Sequence, residues 1–213
     1  MTFYQWAIPD MKSKSENSVG GWPHIRAQLN DWSKPALIAL LKDLYNHDTN
    51  NRDFLEARFQ AEDSGSAALE KYRLKIIEQF FPRRGNGIGK LKLGEARKAI
   101  RDYRKATGNL AGTLELMLTY VESGTRFTCE YGDIDEGFYN SLESVLAEMA
   151  RLLIKESPEL YPRFQERLQQ VPHAASDIGW GYCDTVSDQV LLLETTLGKE
   201  KTTVPPKENR FTK

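Results

Sequence analysis

The sequence predicts an all-α protein, an antiparallel helical bundle or a short αα superhelix of about eight helices, and three observations carry that expectation. Apolar residues recur at spacings of three and four through most of the chain, the period of a helix that buries one face. Helix punctuation bounds several of these runs, as at Pro35, Pro82 and Pro158, where proline starts or stops a helix. Strand alternation is nearly absent, with Thr125 to Glu130 the one short candidate.

The elements follow in order. Ser33 before Lys34 and Pro35 has the form of an N-cap with proline in the first turn, and Leu37, Leu40, Leu41 and Leu44 then make an apolar stripe. A second helix is expected over about Asn51 to Gln60. A third is expected over Ser66 to Phe81, where Leu69, Tyr72, Ile76 and Phe80 share a face ahead of Pro82. From Leu93 to Lys105, Ala96, Ile100 and Tyr103 lie on one side and the basic residues largely elsewhere, the pattern of an amphipathic basic helix. Leu110, Leu114, Met117, Leu118 and Val121 mark the next, which Ser123-Gly124 would close with a left-handed cap. Phe138 to about Glu156 and Pro158 to Gln170 each repeat apolar residues at helical spacing. The last helix is expected over Asp184 to Leu197.

Residues 1–21 read as a flexible N-terminal arm, 22–197 as a single helical domain, and 198–213 as a disordered tail. The arm and tail are rich in polar residues, Gly20-Gly21 and Pro205-Pro206, with little to bury. Phe3, Tyr4, Trp6 and Ile8 concentrate apolar area in a segment too short to fold alone. A chain of 213 residues can bury a full core. Two cysteines are too few for a disulfide scaffold and suit a reducing compartment, where each would act as a small buried hydrophobe. With neither an apolar leader nor an apolar run long enough to span a bilayer, a cytoplasmic location is expected.

Charge is the feature that bears most on function. The net charge is -1, yet 71–105 carries twelve Lys and Arg against three Asp and Glu, whereas 106–194 carries five against fifteen. Such segregation suits an anionic partner for the first stretch, and a metal, a basic partner or internal pairing for the second. In the first, Arg83-Arg84-Gly85-Asn86-Gly87-Ile88-Gly89-Lys90 combines cations with glycines that let backbone amides approach an anion, and Lys92, Arg97, Lys98, Arg101 and Arg104 continue it into the basic helix. Nucleotide-binding enzymes are disfavoured. The phosphate-loop pattern needs Ser or Thr after Lys90, where Leu91 stands, and the dinucleotide pattern needs a glycine where Lys92 stands. Two readings remain for this surface: an anion or nucleic-acid face, or a solvated basic face that covers neighbouring acids.

In the acidic stretch, Asp133, Asp135 and Glu136 place three carboxylates within four residues. They suit a hard cation or general acid-base work. They equally suit helix capping, with Asp133 and Glu136 at capping-box spacing. Farther on, Gly179-Trp180-Gly181 suggests a tight turn, followed by Asp184 and Asp188 one helical turn apart. If the two segments meet in space, Asp133, Asp135, Glu136, Asp184 and Asp188 form a divalent-metal or acid-base site. If they do not, Asp184 caps the last helix and Asp188 is solvated or paired with Arg126 or Arg151. His24, His47 and His173 are scattered, and Cys129 and Cys183 lack zinc-site spacing.

The segments Leu91-Lys92-Leu93-Gly94-Glu95-Ala96-Arg97-Lys98-Ala99-Ile100, Glu130-Tyr131-Gly132-Asp133-Ile134-Asp135-Glu136-Gly137-Phe138-Tyr139-Asn140-Ser141 and Gly179-Trp180-Gly181 together resemble a bacterial family catalogued only as a domain of unknown function. The resemblance covers about Trp32 to Leu197. It implies a helical, soluble bacterial protein and brings no activity, substrate or catalytic residue with it.

The functional expectation is therefore a non-enzymatic binding or adaptor protein that uses its basic surface on nucleic acid or on an acidic protein partner, needing no cofactor. Head-to-tail pairing of the opposite surfaces would give a homo-oligomer. The alternative is a metal-dependent hydrolase acting on a phosphorylated substrate through the five carboxylates.

Overall fold

A computed structural model describes residues 21–59, 65–82 and 91–198. The arm before Gly21, the tail after Gly198, and the loop holding Arg83, Arg84 and Lys90 lie outside the described residues. The described residues form α1 (Trp22–Leu29), α2 (Lys34–His47), α3 (Thr49–Phe59), α4 (Gly65–Phe80), α5 (Leu93–Thr107), α6 (Leu110–Tyr131), α7 (Glu136–Lys155), a 3-10 turn at Pro158–Leu160, α8 (Tyr161–Ala174) and α9 (Tyr182–Leu197). Among them there is no strand, so the all-α expectation holds. No described helix is long and apolar enough to cross a membrane.

The chain divides into two compact units, Met1–Asn51 and Arg52–Lys213, with the break inside the stretch expected as one domain. In the first unit the Ser33 hydroxyl caps α2 as expected, accepting from the Ala36 N–H at 3.4 Å, with Pro35 in the first turn. Neither α1, absent from the sequence reading, nor α2 has a buried residue. In the apolar stripe of α2, Leu37 and Leu40 are partly covered while Leu41 and Leu44, with Ile38 beside them, remain about half exposed.

The second unit holds the core. Its central helix, α6, packs against α4, α5, α7 and α8, while α9 packs on α7 and α8. The faces read from periodicity point inward: Tyr72, Ile76 and Phe80 of α4, Ala96, Ile100 and Tyr103 of α5, and Val186, Val190 and Leu193 of α9 are all buried. Burying a side chain of this size contributes about 1.5–3 kcal/mol.

One sequence expectation fails in α6. Ser123-Gly124 does not end the helix, and Thr125 to Glu130 is not a strand; both lie inside an unbroken helix that runs to Tyr131. A side chain on Gly124 would put its Cβ 2.3 Å from Leu142 Cδ2 and 2.8 Å from Cδ1, so the glycine lets α6 and α7 approach. The β-branched residues after it are accommodated by side-chain bonding. Thr125 Oγ1 donates to Val121 O at 2.9 Å and lies 2.7 Å from the Tyr182 hydroxyl. Thr128 Oγ1 lies 2.7 Å from the Tyr139 hydroxyl. The helix stops where Gly132, at φ 87°, adopts a conformation costly for other residues.

Polar groups in this core are not all satisfied. The Tyr161 hydroxyl is buried without a hydrogen-bond partner among the described residues. Removing an unsatisfied donor relieves its desolvation penalty. Tyr161→Phe is accordingly expected to raise stability by about 1 kcal/mol, read as a higher urea midpoint at unchanged slope.

Both cysteines are free. Cys129 departs from the buried-hydrophobe expectation, because it is exposed and its thiol donates to Ala174 O at 3.2 Å.

Candidate anion-binding face

Tertiary pairing sorts the basic stretch into spent and available charge. On α4, Lys71 pairs with the buried Asp53 and, at 3.0 Å, with Glu56; Lys75 reaches Asp53 at 2.5 Å. The Asp53 carboxylate holds the Lys71 ammonium above its usual pKa. Arg73 pairs with Glu70 at 2.7 Å. The three α4 cations therefore serve neighbouring acids.

The cations of α5 differ. Arg104 approaches Glu148 at 3.8 Å and Glu156 at 3.6 Å, separations too long for good charge-assisted hydrogen bonds. Among the described residues no ion pair is found for Arg97, Lys98 or Arg101. Lys92 is exposed at the N-cap of α5 and makes no side-chain capping bond.

Arg97, Arg101 and Arg104 occupy positions i, i+4 and i+7, one face of a helix at 3.6 residues per turn. They rise beside a cavity of about 120 Å³ between α5, α6 and α7. Ile100, Met117 and Val145 supply apolar lining, and Thr113 and Glu148 complete it. The Thr113 hydroxyl is occupied, donating to Asn109 O at 2.8 Å. Lys98 is exposed roughly a quarter-turn away on the same helix. Such an arrangement can bind an anion by charge-assisted donation from its guanidiniums.

The acidic segments have a different fate. Asp135, rather than Asp133, is the N-cap of α7, its Oδ1 accepting from the Phe138 N–H at 2.8 Å, with Glu136 in the first turn. Asp133 is exposed and accepts from the Tyr139 hydroxyl at 3.1 Å. Burial raises the pKa of that hydroxyl. The two segments do come together here. A Cβ on Gly179 would stand 3.5 Å from Asp133 Oδ2, and Trp180 stacks on Tyr139 with ring centroids 6.4 Å apart. Trp180 takes a left-handed φ of 62° and is 59% exposed.

Asp184 does not cap α9. Gly181 holds that position, leaving Asp184 in the first turn and Asp188 exposed a turn later. Arg126 and Arg151 pair with Glu130 and Glu156 respectively. Among the described residues no three His, Cys, Asp or Glu side chains are grouped to hold a metal ion, so the five carboxylates are not assembled into a ligand set.

A second cleft, of about 320 Å³, lies between α6 and α8. Its Arg167 is fully engaged, bonding Glu115 at 2.6 Å and Glu122 at 2.6 and 2.8 Å. Its other cation, Arg126, stands over the Phe81 ring and 3.6 Å from Glu130, so the cleft offers one loosely paired cation where the α5 face offers a row. The far wall of the α5 face, Thr113, Met117, Val145 and Glu148, carries no local signal by which the sequence could have revealed it.

No family model, curated protein or solved structure matches this chain.

Proposed function

We propose that this protein is a non-enzymatic nucleic-acid-binding module that engages phosphate groups through the basic face of α5. The observation that carries the reading is the row Arg97, Arg101 and Arg104 on one helix face, of which only Arg104 has acidic partners among the described residues. Phosphate oxygens match the planar donor set of a guanidinium, which can bond them in pairs. The neighbouring Lys98 widens the face.

The test is fluorescence anisotropy of short labelled single-stranded RNA and DNA, titrated across salt with the full chain and an Arg97→Ala/Lys98→Ala/Arg101→Ala variant. Binding is expected to weaken with salt, and each lost phosphate contact to flatten the log-log slope by about 0.7. The absence of binding at low salt, or a variant indistinguishable from the parent, overturns the proposal and favours an acidic protein partner.

A further inference from the structure

We propose that the cavity beneath Arg97, Arg101 and Arg104 seats one phosphomonoester group, so that the protein prefers a terminal phosphate on nucleic acid over the internal backbone. This rests on the nucleic-acid reading above and adds to it the chemical class of the group bound.

Charge decides between ester types. Glu148 and Glu156 both approach Arg104, leaving Arg97 and Arg101 as two guanidiniums without an ion pair among the described residues. A phosphomonoester carries about -1.5 to -2 at neutral pH. It would neutralise both guanidiniums, whereas an internal diester, with a single negative charge, leaves one of them unmatched.

Size and shape point the same way. The cavity, of about 120 Å³, has room for a phosphoryl group. Three helices wall it on the protein side, with buried Ile100, Met117 and Val145 in its lining. An internal phosphate entering it would drag a sugar in on each side and desolvate both against apolar carbon. A chain end enters with one.

The experiment compares two fluorescently labelled oligonucleotides of one sequence, ending in a 5′-phosphate or a 5′-hydroxyl, by anisotropy with the full chain at physiological salt. The phosphorylated end is expected to bind at least roughly ten-fold tighter, the scale of one added charge-assisted hydrogen bond. Arg101→Ala is expected to abolish that ratio. Lys98→Ala, outside the cavity, weakens both oligonucleotides and preserves it. Equal binding of the two ends by the parent chain overturns the terminal-phosphate seat while leaving nucleic-acid binding intact.

If neither oligonucleotide binds, the nucleic-acid reading has failed. The cavity is then decided by proton–nitrogen NMR of the arginine Nε–H groups titrated with inorganic phosphate and with glycerol phosphate. Saturable shifts confined to Arg97, Arg101 and Arg104 support a seat for a small phosphomonoester. Unmoved resonances overturn it.

Discussion

Raising the pH beyond about 10 is expected to unfold this protein in one cooperative step, with phenolate absorbance and loss of helical circular dichroism appearing together. Tyr72, Tyr103, Tyr120, Tyr139, Tyr161 and Tyr182 are each no more than 2% exposed. Burial raises the pKa of all six, because a phenolate in the core gives up its hydration.

The direction follows from linkage. Each folded-state value lies above the unfolded one, so the stabilisation is complete below about pH 10 and is lost as pH rises towards the folded value. In that window the unfolded chain releases protons that the native chain retains. Each phenol that stays protonated in the native chain contributes about 1.4 kcal/mol per pH unit, so several acting together draw down a stability of about 5–15 kcal/mol. The raised Lys71 ammonium acts with the same sign. Urea unfolding at successive pH values measures the slope, and Tyr161→Phe, whose hydroxyl has no described partner, is expected to lower it by one proton. Phenols that titrate near pH 10 with the helical signal unchanged would refute the prediction.

Gly124→Val is expected to destabilise the protein by about 3 kcal/mol or more, despite a helix propensity that favours any ordinary residue over glycine by about 0.3–1 kcal/mol. Even an alanine Cβ would stand 2.3 Å from Leu142 Cδ2, 2.8 Å from Cδ1 and 3.1 Å from Cγ. The whole end of the leucine is in the way. Leu142 is itself 0% exposed and has no solvent-side space to turn into. Gly124→Ala should therefore also destabilise, by about 1–3 kcal/mol as overpacking does.

A double-mutant cycle separates this from a capping role. Leu142→Ala alone removes core packing at about 2–5 kcal/mol. With Gly124→Ala it should cost at least about 1 kcal/mol less than the sum of the single changes, since the new methyl occupies the space the leucine vacates. Additive costs in urea denaturation would show that the two positions do not meet. A glycine acting only as a left-handed cap would show no coupling to Leu142.

Gly124 also marks where local pattern stops being informative. Ser-Gly followed by Thr-Arg-Phe-Thr has the composition of a helix end and a strand start, and nothing within several residues contradicts that reading. What contradicts it is Leu142, on the next helix, together with the hydroxyls of Tyr139 and Tyr182 that meet Thr128 and Thr125. The capping-box expectation at Asp133 and Glu136 missed for a similar reason. Both Asp133 and Asp135 are chemically able to cap, and Tyr139 draws Asp133 away while Asp135 takes the Phe138 N–H.

The sequence by itself determined the helical class, the buried faces of α4 to α9 and the separation of charge. These are properties of spacing along the chain, and a helix exposes its period to anyone reading residues three and four apart. Only the tertiary structure decided which charges are spent and which remain. Lys71 and Lys75 look no different in sequence from Arg97 and Arg101, yet Asp53 lies between the first two and no acid reaches the second pair among the described residues. The cavity was likewise invisible, because its walls come from α5, α6 and α7, and Coulomb and packing energies depend on distance in space rather than along the chain.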